Sequence, residues 1–256
     1  MRTMLDVRIG TCGWSARGGR KVYFNYFKVV ELQETFYRLP RLETAVRWRE
    51  KSPSDFEFTV KAWQVITHPP TSPTWRRCNL KIGKEDYEKY GFFRPTTQVY
   101  DSWRKIRELC TALRTKVCIF QTPPKFGYSA DNYRNVEEFF STIERGGLLL
   151  GWEPRGTWHE HRAELKRLLE SIDVTHVVDP LRREPVYCAG FTYFRLHGLG
   201  GREVNYRYKY TDEDLARLLD ITLKYVGDSP VYVMFNNGAD MFRSALRFKE
   251  LLEQEG

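Results

Sequence analysis

The chain lacks several features that would place it in a class at once. Its 256 residues contain no apolar run near the roughly 18 residues of a membrane-spanning helix, so we expect no membrane segment. Met1 to Asp6 carry no apolar signal region, and we therefore expect a soluble, cytoplasmic protein. The absence of a fixed-period repeat or a low-complexity tract argues against a solenoid and against a disordered chain.

Cysteine motifs are also missing. The five cysteines form no CxxC pair, so neither a zinc motif nor a disulfide framework is indicated. We expect reduced thiols that are mostly buried. Cys12 closes an apolar run beside Gly13 and could face a site, but no helix N-terminus or fixed cation beside it predicts a reactive thiolate.

Charge, by contrast, is abundant and unbalanced. The chain has 41 Lys and Arg against 33 Asp and Glu, which gives a formal net charge of +8 at pH 7. An excess of positive charge favours an anionic partner, and dispersed surface charge gives the same total. We expect an anionic small-molecule substrate, with nucleic acid as a second candidate partner.

Eight short runs of β-branched and apolar residues punctuate the chain. Each is typical of a buried strand, and segments of helical period separate most of them. Together they predict an α/β fold, a single (β/α)8 TIM-type barrel that occupies residues 1–256 as one domain. The runs are 7–12, 28–32, 56–61, 117–121, 148–153, 175–179, 192–197 and 231–236.

The segments between these runs carry helix-end signals. Asp101 or Ser102 is a candidate N-cap of one helix, and Gly146 is a candidate C-terminal stop of the next. Thr211 with Asp214 resembles a capping box in which Asp replaces the usual Glu. These signals place helices after several of the predicted strands.

Two connections are longer than a minimal barrel needs. The third strand is followed by an insertion of about residues 62–100, a length typical of a lid or a binding element, and we expect 63–68 to form part of a cover. The seventh strand is followed by the glycine-rich segment 198–202 and the basic, aromatic segment 206–210. These could bind an anion, or they could form a plain mobile turn.

Most of the predicted strands end in a polar or ionisable residue. The carboxyl ends of barrel strands meet at one rim, where catalytic groups lie. Period-two alternation places Arg195 and His197 on one face of their strand, and Glu153 and Arg155 on one face of theirs. The rim residues are Glu31, Gln33, Lys61, Gln121, Glu153, Arg155, Asp179, Arg195, His197, Asn236 and Asn237.

The rim residues suggest an acid/base site for a charged ligand. The catalytic candidates are Glu31 and Glu153 as acid and base, with His197 as a proton shuttle. The basic side chains would neutralise ligand charge and Asn236 would orient the ligand, although a purely structural ion pair between Glu153 and Arg155 is an alternative. The predicted substrate-binding residues are Trp14, Gln33, Tyr37, Lys61, His68, Gln121, Arg155, Trp158, Asp179, Arg195, Asn236 and Asn237.

Two further questions stay open at this point. No cofactor is predicted, yet Glu31, Glu153, Asp179 and His197 could together bind a divalent metal, although no HxH or HExxH spacing supports such a site. Aromatic residues near strand ends, such as Trp158, could stack on sugars or bases, or they could fill the core.

Several motifs, taken together and in order, resemble the YecE-like family, domain of unknown function seventy-two. That resemblance implies a TIM-type barrel whose motif residues line the C-terminal mouth, and it implies no established reaction. Gln33 stands where the family usually has Asn, and Pro154 where it usually has Phe. The motifs are 10–15, 30–32 with 35–40, 58–62, 66–68, 120–124, 152–155 with Trp158, 195–198 and 235–237.

Three functional hypotheses follow. The first is an enzyme, a hydrolase, lyase or isomerase, that acts on an anionic, sugar-containing or phosphorylated substrate at the mouth of the barrel. The second is a nucleic-acid-binding or repair protein, in which the same mouth receives a nucleotide and the basic, aromatic loops hold the strand. The resemblance also implies a likeness, at fold level only, to sugar-phosphate isomerases and metal-dependent abasic-site endonucleases. The third is a binding module that holds its ligand without turnover.

Overall fold

A computed structural model of the chain describes residues 6–201 and 203–255 and confirms the barrel. The expectations for Met1 to Leu5 and for Arg202 lie outside these ranges. Within them the chain forms eight parallel strands, each within a few residues of its predicted bounds. They are β1 (Val7–Cys12), β2 (Val29–Leu32), β3 (Glu57–Lys61), β4 (Val117–Gln121), β5 (Leu149–Glu153), β6 (Thr175–His176), β7 (Thr192–Leu196) and β8 (Val231–Phe235).

The strands form one sheet that curls into a nearly closed barrel. Their order is β6-β5-β4-β3-β2-β1-β8-β7, so neighbours in sequence are neighbours in the sheet and β1 pairs with β8. The remaining edges, β6 and β7, meet through a single parallel bridge between Val178 and Phe194. Arg195 N donates to Val178 O at 2.8 Å at this point. β6 is therefore shorter than its predicted run, since only this bridge continues it.

Helices surround the strands, and none in the described ranges is both long and apolar enough to cross a membrane. Short 3₁₀ segments occur at Pro73–Arg77, Lys84–Lys89, Gly156–Glu160 and Gly238–Asp240. The helices are α1 (Arg20–Tyr23), α2 (Glu34–Tyr37), α3 (Leu42–Glu50), α4 (Gln64–Thr67), α5 (Thr97–Leu113), α6 (Ala130–Thr142), α7 (Arg162–Ser171), α8 (Asp212–Leu223) and α9 (Met241–Glu255).

The predicted start of α5 is wrong. The helix begins at Thr97, after Thr96, whose hydroxyl accepts a hydrogen bond from Val99 N at 3.4 Å. Asp101 and Ser102 already lie inside the helix, where the Ser102 hydroxyl donates to the carbonyl four residues earlier. The Thr96 hydroxyl, about one turn before the predicted position, therefore caps α5.

The other two helix-end predictions have different outcomes. Thr211 and Asp214 form the reciprocal capping box at the start of α8, as predicted. The predicted stop at Gly146 is wrong, because α6 ends at Thr142 and Ile143 already has extended backbone angles. Gly146 lies in the turn before β5 with a positive φ of 60°.

Alternation along the strands separates two apolar regions. Side chains that point outward pack against the helices, whereas those that point inward fill the barrel below the rim. The inner cluster consists of Cys12, Val29, Val117, Ile119, Val177, Phe191, Tyr193, Tyr232 and Met234. Because this layer fills the interior, polar side chains at the carboxyl ends stand on a packed apolar floor.

The insertion after β3 is packed rather than lid-like. Val65 and Ile66 are fully buried, and their carbonyls accept hydrogen bonds from Gly91 N at 2.8 Å and Phe93 N at 2.9 Å. Phe93 is also fully buried, against Trp152 and other aromatic rings. The expectation of a cover at 63–68 is therefore corrected, since opening this segment would expose core residues.

The close pairing of β1 with β2 depends on Gly10. A Cβ at Gly10 would lie 2.3 Å from the carbonyl oxygen of Val29, a backbone atom that cannot turn away. We expect Gly10→Ala to lower the free energy of unfolding by about 1–3 kcal/mol, measured by urea denaturation. The control is Gly227→Ala, where a Cβ meets no atom within 4 Å. Equal stability of the two variants would contradict the contact.

Candidate functional site

Polar side chains at the carboxyl ends of the strands form a connected network centred on Arg195, whose side chain is fully buried. Its Nε and Nη2 donate to the two carboxylate oxygens of Glu31 at 3.0 and 2.8 Å, and its Nη1 donates to Glu153. Glu31 stands on β2 and Glu153 ends β5, so one guanidinium joins carboxylates from different strands. We call the network the mouth cluster: Glu31, Lys61, Gln121, Glu153, Arg155, Arg195 and His197.

The charges at the centre of the mouth cluster stay ionised despite their burial. Burial lowers the pKa of Arg195, but Glu31 and Glu153 outweigh it and raise that pKa well above its usual value. Burial likewise opposes ionisation of Glu153, yet contacts with His197, Arg195 and Arg155 hold its pKa well below the usual range. The buried charges are therefore paired, as they must be in a low-dielectric interior.

A second arm of the mouth cluster joins Glu153, Arg155 and His197. Arg155 donates from Nε and Nη2 to Glu153 Oε1 at 2.9 and 2.6 Å, which confirms that the two side chains share a face. His197 Nε2 lies 3.2 Å from Glu153 Oε2, and its Nδ1 lies 3.2 Å from the amide nitrogen of Asn236. Arg155 Nη2, which can only donate, also lies 3.3 Å from Nε2, so the contacts around the ring fit either tautomer of the neutral imidazole.

His197 is neutral near pH 7. Burial lowers its pKa to about 4, and the positive charges of Arg195 and Arg155 add to this, although Glu153 opposes the shift. His68 is neutral for the same reason, since burial lowers its pKa to about 3. Its Nδ1 lies 2.8 Å from the Thr67 hydroxyl. Neither ring is a fixed positive charge in the site.

Lys61 occupies a different kind of environment. Its Nζ donates to Gln121 Oε1 at 2.8 Å and lies 4.1 Å from the centre of the Phe36 ring. Gln121 Oε1 also accepts from Arg195 Nη1 at 3.4 Å, so the amide bridges the lysine to the rest of the cluster. Burial, with the charge of Arg195, lowers the pKa of Lys61 to about 7.

Glu31 is fully buried, and both of its carboxylate oxygens accept hydrogen bonds. Besides Arg195, it accepts hydrogen bonds from the Gln33 amide and from the Tyr193 hydroxyl, the latter at 2.9 Å. Tyr193 was not among the predicted site residues. The alternation that paired Arg195 with His197 places Tyr193 on the same face, so that signal could have found it.

Asp179 contacts backbone N–H groups and the Arg182 guanidinium, whose Nε lies 3.6 Å from its carboxylate. Its carboxylate accepts from His197 N at 3.0 Å and from Leu181 N at 3.2 Å. Burial raises its pKa to about 6, although these hydrogen bonds oppose the shift. Asp179 therefore positions the segment that carries His197, a role different from the predicted substrate contact.

Three other predicted contacts have structural roles. Trp158 is fully buried, and its indole nitrogen donates to Phe126 O at 2.8 Å. Asn237 is fully buried and donates to Tyr208 O and to the Ser244 hydroxyl. Trp14 packs its ring against aromatic residues of the outer layer. The alternative left open for the aromatic residues, core filling, is the one the structure supports for these rings.

Two aromatic side chains remain at the rim. Tyr37 is half-buried and stacks under the Arg77 guanidinium, whose central carbon lies 3.5 Å above the ring. Tyr206 is 52% exposed, and its hydroxyl experiences the charges of Arg155, Arg195 and Glu153. The basic and aromatic pattern of 206–210 was the sequence signal for this position.

The four residues that could have bound a divalent metal do not converge. In residues 6–201 and 203–255, no group of three or more His, Cys, Asp or Glu side chains is arranged to hold a metal ion. Glu31 and Glu153 both face Arg195, and Asp179 faces backbone N–H groups. A metal would have to displace the guanidinium, so these donors do not fit one as they stand.

Neither Cys12 nor the lower cavity offers a competing site. Burial raises the pKa of the Cys12 thiol well above its usual value, with Glu31 adding to the shift. A cavity of about 820 Å³ opens at the amino ends of the strands, where Arg8 and the Tyr232 hydroxyl both donate to Glu57 at 2.6 Å. Arg8 and Glu57, both half-buried, pair with each other there, as expected of the structural end of a barrel.

Asp179 predicts a specific pH dependence of stability. Its folded pKa of about 6 exceeds the unfolded value of about 4, so the folded state holds the proton more tightly. The free energy of unfolding should therefore fall as the pH rises from about 4 to about 6. This group should contribute at most about 3 kcal/mol to that fall. Urea denaturation across this range should show a smaller fall for Asp179→Asn, whereas parallel curves for variant and parent would contradict the assignment.

Comparisons with known proteins agree with this architecture. The chain is 22% identical to the UPF0759 protein YunF of Bacillus subtilis over 289 aligned positions, which cover 97% of this chain and 95% of that one. A DUF72 family protein of known structure from Thermotoga maritima is 27% identical, with a TM-score of 0.69 over 96% of this chain and 99% of that one.

More distant barrels share the fold alone. Endonuclease IV of Thermus thermophilus aligns with a TM-score of 0.52 at 12% identity, over 97% of this chain and 100% of that one. Such low identity carries no residue of the mouth cluster from one protein to the other. The model of the family described as "Protein of unknown function DUF72", in contrast, matches residues 8–256. The chain therefore belongs to the DUF72 family.

Proposed function

We propose that this protein is an enzyme that binds an anionic, sugar-containing or phosphorylated substrate at the carboxyl-end mouth of its barrel. The observation that carries the proposal is the contact of a neutral, proton-bearing His197 with an ionised Glu153 beside two guanidinium groups. Such a pair can move a proton while the neighbouring cations hold a negative charge. Hydrolase, lyase and isomerase reactions all need these two functions.

Unused donors favour an anion as the ligand. In the contacts described, Arg155 uses Nε and Nη2 and leaves Nη1 without a partner. The fixed charges of Glu31, Glu153, Arg155 and Arg195 sum to zero, so an ammonium at Lys61 would make the cluster positive. A phosphate or carboxylate bound between Arg155 and Lys61 would complete the charge balance and use the free donors.

An anion at this position would also prepare the acid/base pair. Burial, with Arg195 and Arg155, lowers the pKa of His197, and the two arginines also lower the pKa of Glu153, which makes both groups weak bases. A negative charge beside Arg155 opposes that effect and raises both pKa values toward neutrality. Substrate binding and proton transfer would then be coupled. Glu31, which is enclosed, serves in this scheme as a positioning residue for Arg195.

Nucleic acid is the second candidate ligand. The exposed ring of Tyr206 and the Arg77–Tyr37 stack could hold an unpaired base at the rim, and the net charge of +8 favours a polyanion. Endonuclease IV of Thermus thermophilus, at 12% identity, shares the fold of this chain.

The anion site is tested by Arg155→Gln. We expect the parent protein to bind ribose 5-phosphate by isothermal titration calorimetry and the variant to bind it at least about tenfold more weakly, because a charge-assisted contact is lost. Lys116→Gln is the matched control, since it removes the same charge from an exposed residue at the opposite end.

Equal weakening by both variants would contradict a specific site. Titration of single-stranded and abasic DNA under the same conditions separates the second candidate. Binding of DNA that is tighter than that of the sugar phosphate, that depends on Arg155, and that weakens steeply with salt would favour nucleic acid.

Turnover is tested with His197→Gln. The parent protein, incubated with a mixture of phosphorylated metabolites, should change at least one of them, as followed by mass spectrometry. The variant should do so at least about 100-fold more slowly, because general acid/base catalysis contributes this much or more. Retention of a metabolite without any change by the parent protein would instead identify a binding module.

A further inference from the structure

Lys61 is a buried amine without a counter-ion. Its side chain is 6% exposed, and among the described residues no carboxylate lies within ion-pair distance of Nζ. The neighbouring carboxylates, Glu31 and Glu153, are already paired with Arg195. The single polar partner of Nζ that the contacts give is the neutral oxygen of Gln121. Burial of an ammonium in such surroundings is unfavourable, so the amine is biased toward its neutral form.

The groups around Lys61 come from several elements, and their charges nearly cancel. Arg195 on β7 and Arg155 after β5 disfavour the ammonium, whereas Glu31 on β2 and Glu153 on β5 favour it. Cys12 on β1 and His68 after α4 also lie within electrostatic range and carry no charge near pH 7. Burial therefore decides the balance, and the pKa of about 7 leaves roughly half of the amine unprotonated at neutral pH.

From this geometry we propose that Lys61 is a nucleophile that forms a Schiff base with the carbonyl carbon of an open-chain sugar. This rests on the proposed function to the extent that the anionic group of the sugar would bind at Arg155. An uncharged amine on a rigid strand end, beside a proton-transfer pair and a substrate anion site, is the arrangement that such a reaction requires.

The reaction balances without an external reagent. The lone pair of Nζ attacks the carbonyl carbon, and the π electrons of the C=O bond move to oxygen. The nitrogen gives up two protons and the oxygen gains two, so the oxygen leaves as water and a C=N bond remains. The Phe36 ring over Nζ shields the product on one side from hydrolysis by water.

The proposal is tested by trapping with borohydride. The parent protein is incubated with D-glyceraldehyde 3-phosphate, reduced, digested and mapped by mass spectrometry across a pH series. We expect modification at Lys61 to rise with a midpoint near pH 7 and, at neutral pH, to exceed that of exposed Lys116 at least about tenfold, because a surface lysine is almost fully protonated there. Modification spread over the exposed lysines, or a midpoint near pH 10 at Lys61, would overturn the proposal.

Two variants strengthen the test. Lys61→Met should lose the adduct while exposed lysines react as before. Gln121→Glu retains the lysine and places a carboxylate within 2.8 Å of the Nζ position, so it should move the midpoint for Lys61 to higher pH. An unchanged midpoint in a folded Gln121→Glu protein would mean that the local environment does not control the amine, and this would also overturn the proposal.

Further measurements identify the source of the sugar aldehyde and test the nucleophile separately from the proposed function. A parallel reduction with an abasic-site oligonucleotide shows whether the aldehyde of a free sugar phosphate or that of a DNA deoxyribose is trapped at the lower concentration, and either adduct at Lys61 supports the proposal. Ribose 5-phosphate binding that depends on Arg155, without any adduct at Lys61, would retain the proposed function and reject the nucleophile. An adduct of Lys61 with unphosphorylated glycolaldehyde, without Arg155-dependent binding of ribose 5-phosphate, would retain the nucleophile and reject the proposed function.

Discussion

The buried guanidinium of Arg195, held between Glu31 and Glu153, is the interaction on which the rest of the site depends. A charge buried this completely is tolerated because both carboxylates face it, and removal of one partner from such a set costs about 3–5 kcal/mol. The three side chains come from β7, β2 and β5, so the network also fixes the relative positions of these strands at the mouth. Glu153 in turn positions Arg155 and His197, which both contact its carboxylate.

That arrangement explains why protonation of both Lys61 and His197 is disfavoured. Once Arg195 has taken both carboxylates, Lys61 has no counter-ion, and burial disfavours protonation of Lys61 as well as of His197. A partly unprotonated amine and a neutral imidazole beside fixed cations are suited to receive an anionic ligand. A substrate anion would reverse the same electrostatics.

The sequence was a good guide wherever a strand periodicity applied. Alternation placed Arg195 with His197 and Glu153 with Arg155 correctly, because both pairs continue the geometry of a buried strand. It failed beyond the strand ends, where Trp158 and Asn237 turn back into the core and Asp179 turns to the backbone. The state of Lys61 could not be predicted either, since it depends on which partner takes the carboxylates of residues far away in sequence.

The two ends of the barrel show why chemistry belongs at one of them. Tyr193 and Tyr232 stack inside the barrel with ring centres 5.2 Å apart, and their hydroxyls point to opposite ends. At the lower end, Tyr232 and Arg8 both donate hydrogen bonds to Glu57, beside the cavity of about 820 Å³. At the upper end, the Tyr193 hydroxyl donates a hydrogen bond to Glu31. Lys61, in contrast, has no carboxylate partner among the described residues. Unmatched groups in a buried setting are costly to maintain, and a bound ligand is what would match them.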